Sequence, residues 1–438
     1  MPKSRCRPSR TALGSLLALA LLGLCPTLSA QQAQGFAELR TSLFPGAGGD
    51  VVQVVERARP TFTADVSERV AITATIEAAL SQGRRNEREV ERVIARSDFG
   101  PLLEAAGCSF GTHENRTLAI SEAGDYLDVD RLFVDAYLPW ADIRAGRQAL
   151  HWGSGRFFNP TDPFPQVLLS EPWRPRRGVN AGRITVPFGE VHDATAVVAT
   201  TDRLDRVHGA GRLSLNFFET DFALVGSYRG DREDGFAGLD IRGTLGVGFW
   251  LEGGVRIDSD PHQEFVVGVD YSFPLFESLL VTAQYYHNGS GATDPDDYRR
   301  TATIAPVGLE CTDPALEARF SEAEPDPFAP MTSARDYGLL GASLAWTPDF
   351  STNLFWLQNL DDGSGLVVPT AAYVILDWLD ISISAQIPLA TWGDGGEFKP
   401  RDGDLLLQQD LGTGQVLLAD FSPLMPDAVI TLWSRASY

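Results

Sequence analysis

Apolar and polar side chains alternate with a period of two over stretches of about ten residues along most of the chain. Leu213, Leu215 and Phe217, for example, alternate with the polar residues that lie between them. This period is typical of half-buried β-strands, in which successive side chains point to opposite faces of a sheet. The pattern predicts eighteen strands, at 36–43, 52–64, 67–80, 125–138, 141–151, 177–187, 190–201, 206–218, 221–230, 235–245, 248–258, 263–273, 277–288, 335–347, 350–360, 365–376, 379–389 and 427–438.

The connections between these predicted strands alternate in length. Every long connection follows an odd-numbered strand, at 81–124, 152–176, 289–334 and 390–426, whereas the connections after even-numbered strands are short. A soluble β-sandwich has no reason to sort its loops in this way, but an outer-membrane barrel has short periplasmic turns and longer extracellular loops. The sequence therefore predicts an all-β fold: a transmembrane antiparallel β-barrel of about 18 strands, or 16 if the amino-terminal pair is misassigned, wide enough for an aqueous lumen.

Aromatic side chains support a membrane location, because a barrel is expected to carry an aromatic belt at each membrane interface. One set lies beside the predicted short turns and a second set lies near the opposite strand ends. The chain also closes its last strand on an aromatic residue, Tyr438. The first set is Trp140, Phe188, Phe218, Phe273, Phe276, Trp346, Phe350 and Trp378, and the second is Trp152, Phe157, Phe158, Tyr285, Tyr286 and Trp392.

Residues 1–30 have the three parts of a secretory signal peptide: a basic start, an apolar run from Leu13 to Leu24 and a small residue at the cleavage position. That apolar run is too short to span a membrane as a helix. We therefore expect residues 31–438 to form a single exported barrel in the cell outer membrane. Two cysteines remain in it, Cys108 and Cys311, and they could form one disulfide in an oxidising compartment.

Charge narrows the possible partners. The chain has 58 acidic and 36 basic residues, for a formal net charge of −22. Nucleic-acid binding requires a basic face, so that class of partner is not expected. The expected partners are outer-membrane lipid and lipopolysaccharide, the barrel-assembly machinery and small solutes, and no cofactor or metal is expected.

Residues 125–165 carry a recognisable motif. The run IRAGRQALHWG, followed by FFNPTDPF, resembles the LRVGRQ…WG…NP-D hairpin of porin-like outer-membrane families of Gram-negative bacteria. Those families include alginate-export-like barrels and several uncharacterised ones. The resemblance covers about 40 residues and implies a porin-like barrel, while it says little about the transported substrate.

The hairpin within this motif gives the first candidate site. If Pro139 and Trp140 form a two-residue turn, Asp135 lies opposite Arg144, and Arg131 lies opposite Gln148. A cross-strand Asp–Arg pair stabilises a hairpin by about 0.2–1 kcal/mol. Such residues either hold the register of the lumen wall or belong to a charged ladder that sets ion preference.

The following stretch, 141–183, is basic within an acidic chain. The connection 152–176 is rich in proline and aromatic residues and could fold back over or into the pore. Guanidinium groups crowded in a constriction would attract anions or carboxylated solutes. Alternatively, they bind lipopolysaccharide phosphates or pair with acids of neighbouring loops. The candidate pore residues are Arg144, Arg147, Arg156, Arg174, Arg176, Arg177 and Arg183, together with the acids Asp128, Asp130 and Asp135.

Catalysis is not expected. His151, Ser154 and Asp162 are close in sequence, but this spacing does not by itself create a nucleophile–base contact. We expect a porin-like channel for passive diffusion of small hydrophilic or ionic solutes. The alternative is a non-conducting barrel in surface-polysaccharide export or another outer-membrane assembly. Dense inward-pointing aromatic residues would favour that alternative, and the sequence pattern does not indicate them.

Overall fold

In a computed structural model, the chain forms one closed β-barrel. It describes residues 32–45, 51–83, 109–111, 118–119, 125–164, 175–200, 207–230, 234–258, 260–298, 308–310, 332–393, 395–400, 406–410, 416–420 and 426–438. The predicted signal peptide, Arg174, Cys108 and Cys311 lie outside these residues. Among the described residues, no helix is both long and apolar enough to cross a membrane.

Eighteen antiparallel strands make up the barrel, as the alternation of apolar and polar residues predicts. Each strand pairs with the next along the chain, and the first pairs with the last, so that Glu38 lies opposite Arg435. The strands are β1 (Gln32–Phe44), β2 (Val51–Ser67), β3 (Val70–Gly83), β4 (Tyr126–Tyr137), β5 (Asp142–Gln148), β6 (Val179–Phe188), β7 (His192–Thr200), β8 (Val207–Phe217), β9 (Thr220–Arg229), β10 (Asp234–Thr244), β11 (Gly248–Ile257), β12 (His262–Phe273), β13 (Ser278–Asn288), β14 (Asp336–Ala345), β15 (Phe350–Asn359), β16 (Ser364–Leu376), β17 (Leu379–Ala390) and β18 (Val429–Ser437).

The loops are sorted by length between the two ends of the barrel. Connections that follow even-numbered strands have four residues or fewer, whereas the four long connections, 84–125, 149–178, 289–335 and 391–428, all follow odd-numbered strands. The short turns therefore define the periplasmic end and the long loops the extracellular end. This confirms the predicted arrangement.

Additional short strands occur within the long connections. Ser109–Gly111 pairs with Gly308–Glu310, so residues of two different long connections form one small sheet. Leu406–Asp410 pairs with Val416–Asp420. Leu118–Ala119 extends the barrel sheet beside β4. The extracellular end therefore carries β-structure beyond the barrel wall.

Alternation separates an outer face from a lumen face on each strand. On β9, Leu224 is 54% exposed and faces the membrane, whereas Val225 is 5% exposed and faces the lumen. Seven of the eight aromatic residues predicted beside the short turns are exposed; Phe350 is half-buried. That belt is therefore present at the periplasmic end, where membrane interfaces favour amphipathic rings.

The second predicted belt is only partly correct. Tyr285 and Trp392 are exposed on the outer wall at the extracellular end. Trp152, Phe158 and Tyr286 are buried inside the barrel instead. Trp152 and Phe158 are inside because the chain after β5 turns into the barrel. Tyr286 is inside because it lies two residues from Gln284 on β13, so both side chains face the lumen.

Candidate pore constriction

Residues 151–164, which we call the inward segment, leave β5 and enter the lumen. The carboxylate of Glu252 on β11 holds this segment at two places. One oxygen accepts the backbone N–H groups of Ser154, at 2.6 Å, and of Gly155. The other accepts the hydroxyl of Thr161 at 2.7 Å and its backbone N–H at 3.3 Å. Glu252 is fully buried, so these bonds replace the water that the carboxylate loses.

A glycine permits this close approach. Gly153 has φ +84°, a left-handed conformation that residues with a side chain rarely adopt. A Cβ at Gly153 would also lie 2.7 Å from the Glu252 carboxylate and 2.9 Å from the amide oxygen of Asn159. The sequence pair Trp152-Gly153 therefore begins the turn into the lumen.

Other lumen residues of the same wall complete the attachment. Ser154 Oγ donates a hydrogen bond to Asp240 on β10, and the backbone N–H of Arg156 donates to Gln284 at 2.9 Å. The Arg156 guanidinium pairs with Asp270 on β12 and lies 5.3 Å from the ring centroid of Trp250. Strands β10 to β13 thus bind the inward segment through both backbone and side chains.

An aromatic cluster fills the space between the inward segment and strands β11 to β15. Phe158 stacks on Tyr286 with ring centroids 4.3 Å apart, and Phe157 lies 5.2 Å from Phe355. Trp250 and Tyr337 are buried in the same cluster. These inward rings are a departure from the sequence-based expectation. Two residues apart on a strand, Trp250 and Glu252 face the same side of the sheet, and so do Tyr286 and Gln284. A polar residue at that spacing indicates that the neighbouring ring faces the lumen.

Arginines and acids line the opposite side of the lumen, on β2, β4 and β5. Asp130 accepts a hydrogen bond from Arg59 at 2.6 Å, lies 3.3 Å from Arg131 and also accepts the backbone N–H of Gly178 at 3.1 Å. Arg59 lies on β2, 71 residues from Asp130, and Gly178 is the last residue of the connection 149–178. Asp130 therefore fixes the point at which the connection 149–178 rejoins the wall.

The basic stretch after β5 is anchored by acids at both ends. Asp128 lies 3.8 Å from Arg147 and 3.7 Å from Arg177. Arg176 pairs with Asp162 of the inward segment, whose carboxylate also lies 3.0 Å from His151. Arg147, Arg176 and Arg177 are therefore paired guanidinium groups rather than free ones.

Arg144 and Arg183 differ in the way their charge is balanced. The guanidinium of Arg144 donates two hydrogen bonds to Asp135, at 2.6 and 2.9 Å, in the register that the short turn predicts. The pairing of β4 with β5 ends at Leu132 and Arg147. The predicted pair of Arg131 with Gln148 would be the next one and lies beyond the end of this pairing. Arg183 lies directly opposite Arg144 on β6, and no carboxylate in the described part of the chain is within ion-pair distance of it.

A second buried network ties the extracellular loops together. Glu397, in the connection after β17, accepts hydrogen bonds from Tyr337, from Asn359 at 3.1 Å and from the backbone N–H of Ser333 at 2.7 Å. Its own backbone N–H donates to Asp362 at 2.8 Å. Burial raises the pKa of the Glu397 carboxyl to about 7. These contacts join three connections at the mouth of the barrel.

The residues considered for catalysis do not form a nucleophile–base pair. His151 contacts Asp162, whereas the hydroxyl of Ser154 donates to Asp240. Both side chains take part in holding the inward segment.

The fold matches solved outer-membrane barrels over nearly its whole length, at low sequence identity. A variant of OccD1 (OprD) gives a TM-score of 0.52 with 11% identity, covering 93% of this chain and 96% of that chain. Pseudomonas aeruginosa OccK5 (OpdH) gives 0.51 with 9% identity, covering 93% and 99%. Wzi, an outer-membrane carbohydrate-binding barrel involved in group 1 capsule assembly in Escherichia coli, gives 0.50 with 10% identity, covering 99% and 90%.

Sequence comparison adds no family. No protein-family model matches the chain, and no curated protein matches it. The closed barrel and its structural neighbours give the chain the fold of the outer-membrane barrel porins, and at these identities they establish the fold alone.

Proposed function

We propose that this barrel is a porin-like channel for passive diffusion of small hydrophilic or ionic solutes across the outer membrane. The observation that carries the proposal is the inward segment. It is attached to the wall β10–β13 through Glu252, Asp240 and Gln284, and it faces a wall that carries arginines. A segment held inside the lumen narrows a pore, and the charges and rings at such a constriction select the solutes that pass.

Small anions or carboxylated solutes are the preferred class in this proposal. Arg144 and Arg183 present adjacent guanidinium groups on the lumen wall, and only Arg144 has a carboxylate partner among the described residues. Guanidinium groups bind carboxylate and phosphate through parallel hydrogen bonds. The passage needs no energy source or cofactor.

The test is single-channel current from the purified barrel in a planar bilayer under a salt gradient. We expect discrete current steps and a reversal potential displaced toward the anion equilibrium potential. Discrete steps with a cation-directed reversal potential would overturn the anion preference and retain the channel. The absence of current from a heat-modifiable, folded sample would overturn the channel itself.

The aromatic cluster favours a second candidate, a non-conducting barrel that serves in the assembly or export of surface polysaccharide. Phe158, Tyr286 and Tyr337 occupy lumen space, and Wzi shares the fold at a TM-score of 0.50. The earlier resemblance to alginate-export-like barrels is compatible with this candidate and stays a prediction. If the wild type is silent and Phe158→Ala conducts, the aromatic cluster is the plug and this second candidate replaces the first.

A further inference from the structure

The outer wall of the barrel has a recess at its extracellular end. On β14, Tyr337 and Leu339 are buried and face the lumen. Gly338 and Leu340 alternate with them and therefore face the membrane. In the ladder, Gly338 lies between Tyr285 on β13 and Gln358 on β15. Glycine places no side chain in this row, and the wall is therefore indented there.

The recess, which we call the outer groove, has a volume of about 490 Å³. Leu340 and Ala283 line its floor, while Leu360 and Trp392 from the connections above cover its extracellular end. Leu340 is 50% exposed and Trp392 is 48% exposed, so the groove opens onto the surface that faces hydrocarbon. It is a lipid-facing site, separate from the lumen.

The polar groups at the rim of the outer groove are already satisfied by the protein. The Gln358 amide donates to the carbonyl of Ser364 at 2.9 Å, and its oxygen accepts the hydroxyl of Thr391 at 3.0 Å and the indole N–H of Trp356 at 3.1 Å. The Tyr285 hydroxyl donates to Asp336. The Gln358 amide and the Tyr285 hydroxyl therefore need no water or polar ligand, and the groove suits an apolar occupant.

We propose that the outer groove binds one acyl chain of an outer-leaflet membrane lipid. The groove lies at the end of the barrel that carries the long loops, which is the outer-leaflet side. Trp392 and Tyr285 stand at that end, where amphipathic rings occupy the headgroup level of a membrane. An acyl chain entering beneath Trp392 fills the recess and keeps its headgroup among these rings.

Shape distinguishes this occupant from a second copy of the chain. A stable protein interface buries about 1,200–2,000 Å² of complementary surface. The outer groove is a local recess of about 490 Å³ with Leu360 and Trp392 at its extracellular end, a space that a flexible linear chain can enter more readily than a strand or helix face. Van der Waals contacts along the acyl chain then contribute to the binding free energy in proportion to the surface that the groove covers.

Native mass spectrometry of the detergent-extracted barrel tests the proposal. The filling variant is Gly338→Leu, because a Cβ at Gly338 meets only the Leu360 side chain, at 3.6 Å. The matched control is Gly226→Leu on the outer face of β9, where a Cβ meets only the Phe236 carbonyl oxygen at 3.9 Å. We expect the wild type and Gly226→Leu to retain a lipid adduct and Gly338→Leu to lose it.

A second variant covers the case in which Gly338→Leu does not fold. Trp392→Ala removes the cover from the groove without changing a barrel strand, and it is expected to reduce lipid retention severalfold. Equal retention in the wild type and both groove variants overturns the proposal, as does a wild type that carries no lipid after mild extraction. A wild-type dimer that Gly338→Leu converts to a monomer would assign the groove to a second copy of the chain and also overturn it.

Discussion

The carboxylate of Glu252 accepts the hydroxyl of Thr161 at 2.7 Å, across a sequence separation of 91 residues. The same carboxylate accepts the backbone N–H groups of Ser154 and Gly155. One lumen side chain therefore bonds both halves of the inward segment, and in the proposed channel the position of that segment sets the width of the pore.

Replacing Glu252 with alanine is expected to release the inward segment. A hydrogen bond to a charged group contributes about 1.5–3 kcal/mol, and Glu252 accepts four of them from the segment. The segment should then leave the wall β10–β13, and single-channel recordings should have a changed unitary conductance and greater open-channel noise. Asp221→Asn is the control, since Asp221 bonds Asn216 and Arg242 instead. Recordings of Glu252→Ala identical to those of wild type would show that Glu252 does not control the width of the pore.

Arg183 and Arg144 are both expected to contribute to ion selectivity. A unit charge about 5 Å from a passing ion contributes ~0.8 kcal/mol in water, which corresponds to about a fourfold change in partition. Arg183→Gln and Arg144→Gln each remove one positive charge from the lumen wall, so both should move the reversal potential toward the cation equilibrium potential. Arg144→Gln also leaves the carboxylate of Asp135 without its partner. Asp135→Asn should shift the reversal potential in the opposite direction. A reversal potential that Arg183→Gln leaves unchanged would contradict this account.

The strands could be predicted from the sequence because the information they depend on is local. The period of two marks each strand, the loop lengths assign its direction, and a short turn fixes the register that pairs Asp135 with Arg144. A residue's parity along its strand also assigns it to the lumen or the membrane face. These rules need no knowledge of distant residues.

The candidate constriction could be predicted only in part. The basic and proline-rich composition of the stretch after β5 suggested a connection that folds inward, and the contacts of Ser154 and Arg156 with lumen side chains agree with it. Glu252 was missed because its partners lie 91 to 98 residues away. The sequence predicts Phe158 in a membrane belt, because an aromatic residue near a strand end looks the same in sequence whether its loop turns inward or outward.

A disulfide between Cys108 and Cys311 remains a prediction, and the strands beside them support it. Cys108 precedes Ser109 and Cys311 follows Glu310 in the sequence, and Ser109 pairs with Glu310. We expect a maleimide reagent to label the denatured mature protein only after reduction. Cys108→Ser should make Cys311 available for labelling without a reductant. Labelling of the unreduced wild type at both cysteines would exclude the bond.

Docking of the loop around Glu397 is expected to weaken as the pH rises. The pKa of Glu397 is raised from 4.5 to about 7, so the folded state holds a proton between these values that the undocked state has released. The stabilisation is complete below about pH 4.5, declines with rising pH and is lost above about pH 7, a change on the order of 3 kcal/mol. Hydrogen-exchange protection factors of the Glu397 and Phe398 amides should follow this decline.

Glu397→Gln separates the charge from the loop's other contacts. The amide cannot ionise, so the protection factors of this variant should be flat between pH 4.5 and 7. Glu190→Gln, an exposed change in the turn between β6 and β7, should retain the wild-type slope. A flat profile in the wild type would show that Glu397 does not control docking of the loop.

An ion triad with a buried carboxylate, Glu38, links the first two strands of the barrel to its last. Glu38 accepts hydrogen bonds from Arg57 at 2.9 Å and from Arg435 at 2.7 and 3.1 Å. Removing one member of a buried ion pair costs about 3–5 kcal/mol, because the remaining charge is left buried without a partner. Glu38→Ala should therefore lower the urea midpoint of unfolding in detergent and the temperature at which the compact band disappears in gels. Asp377→Ala, in an exposed turn, should unfold like the wild type. Unchanged midpoints for Glu38→Ala would mean that backbone pairing alone closes the barrel.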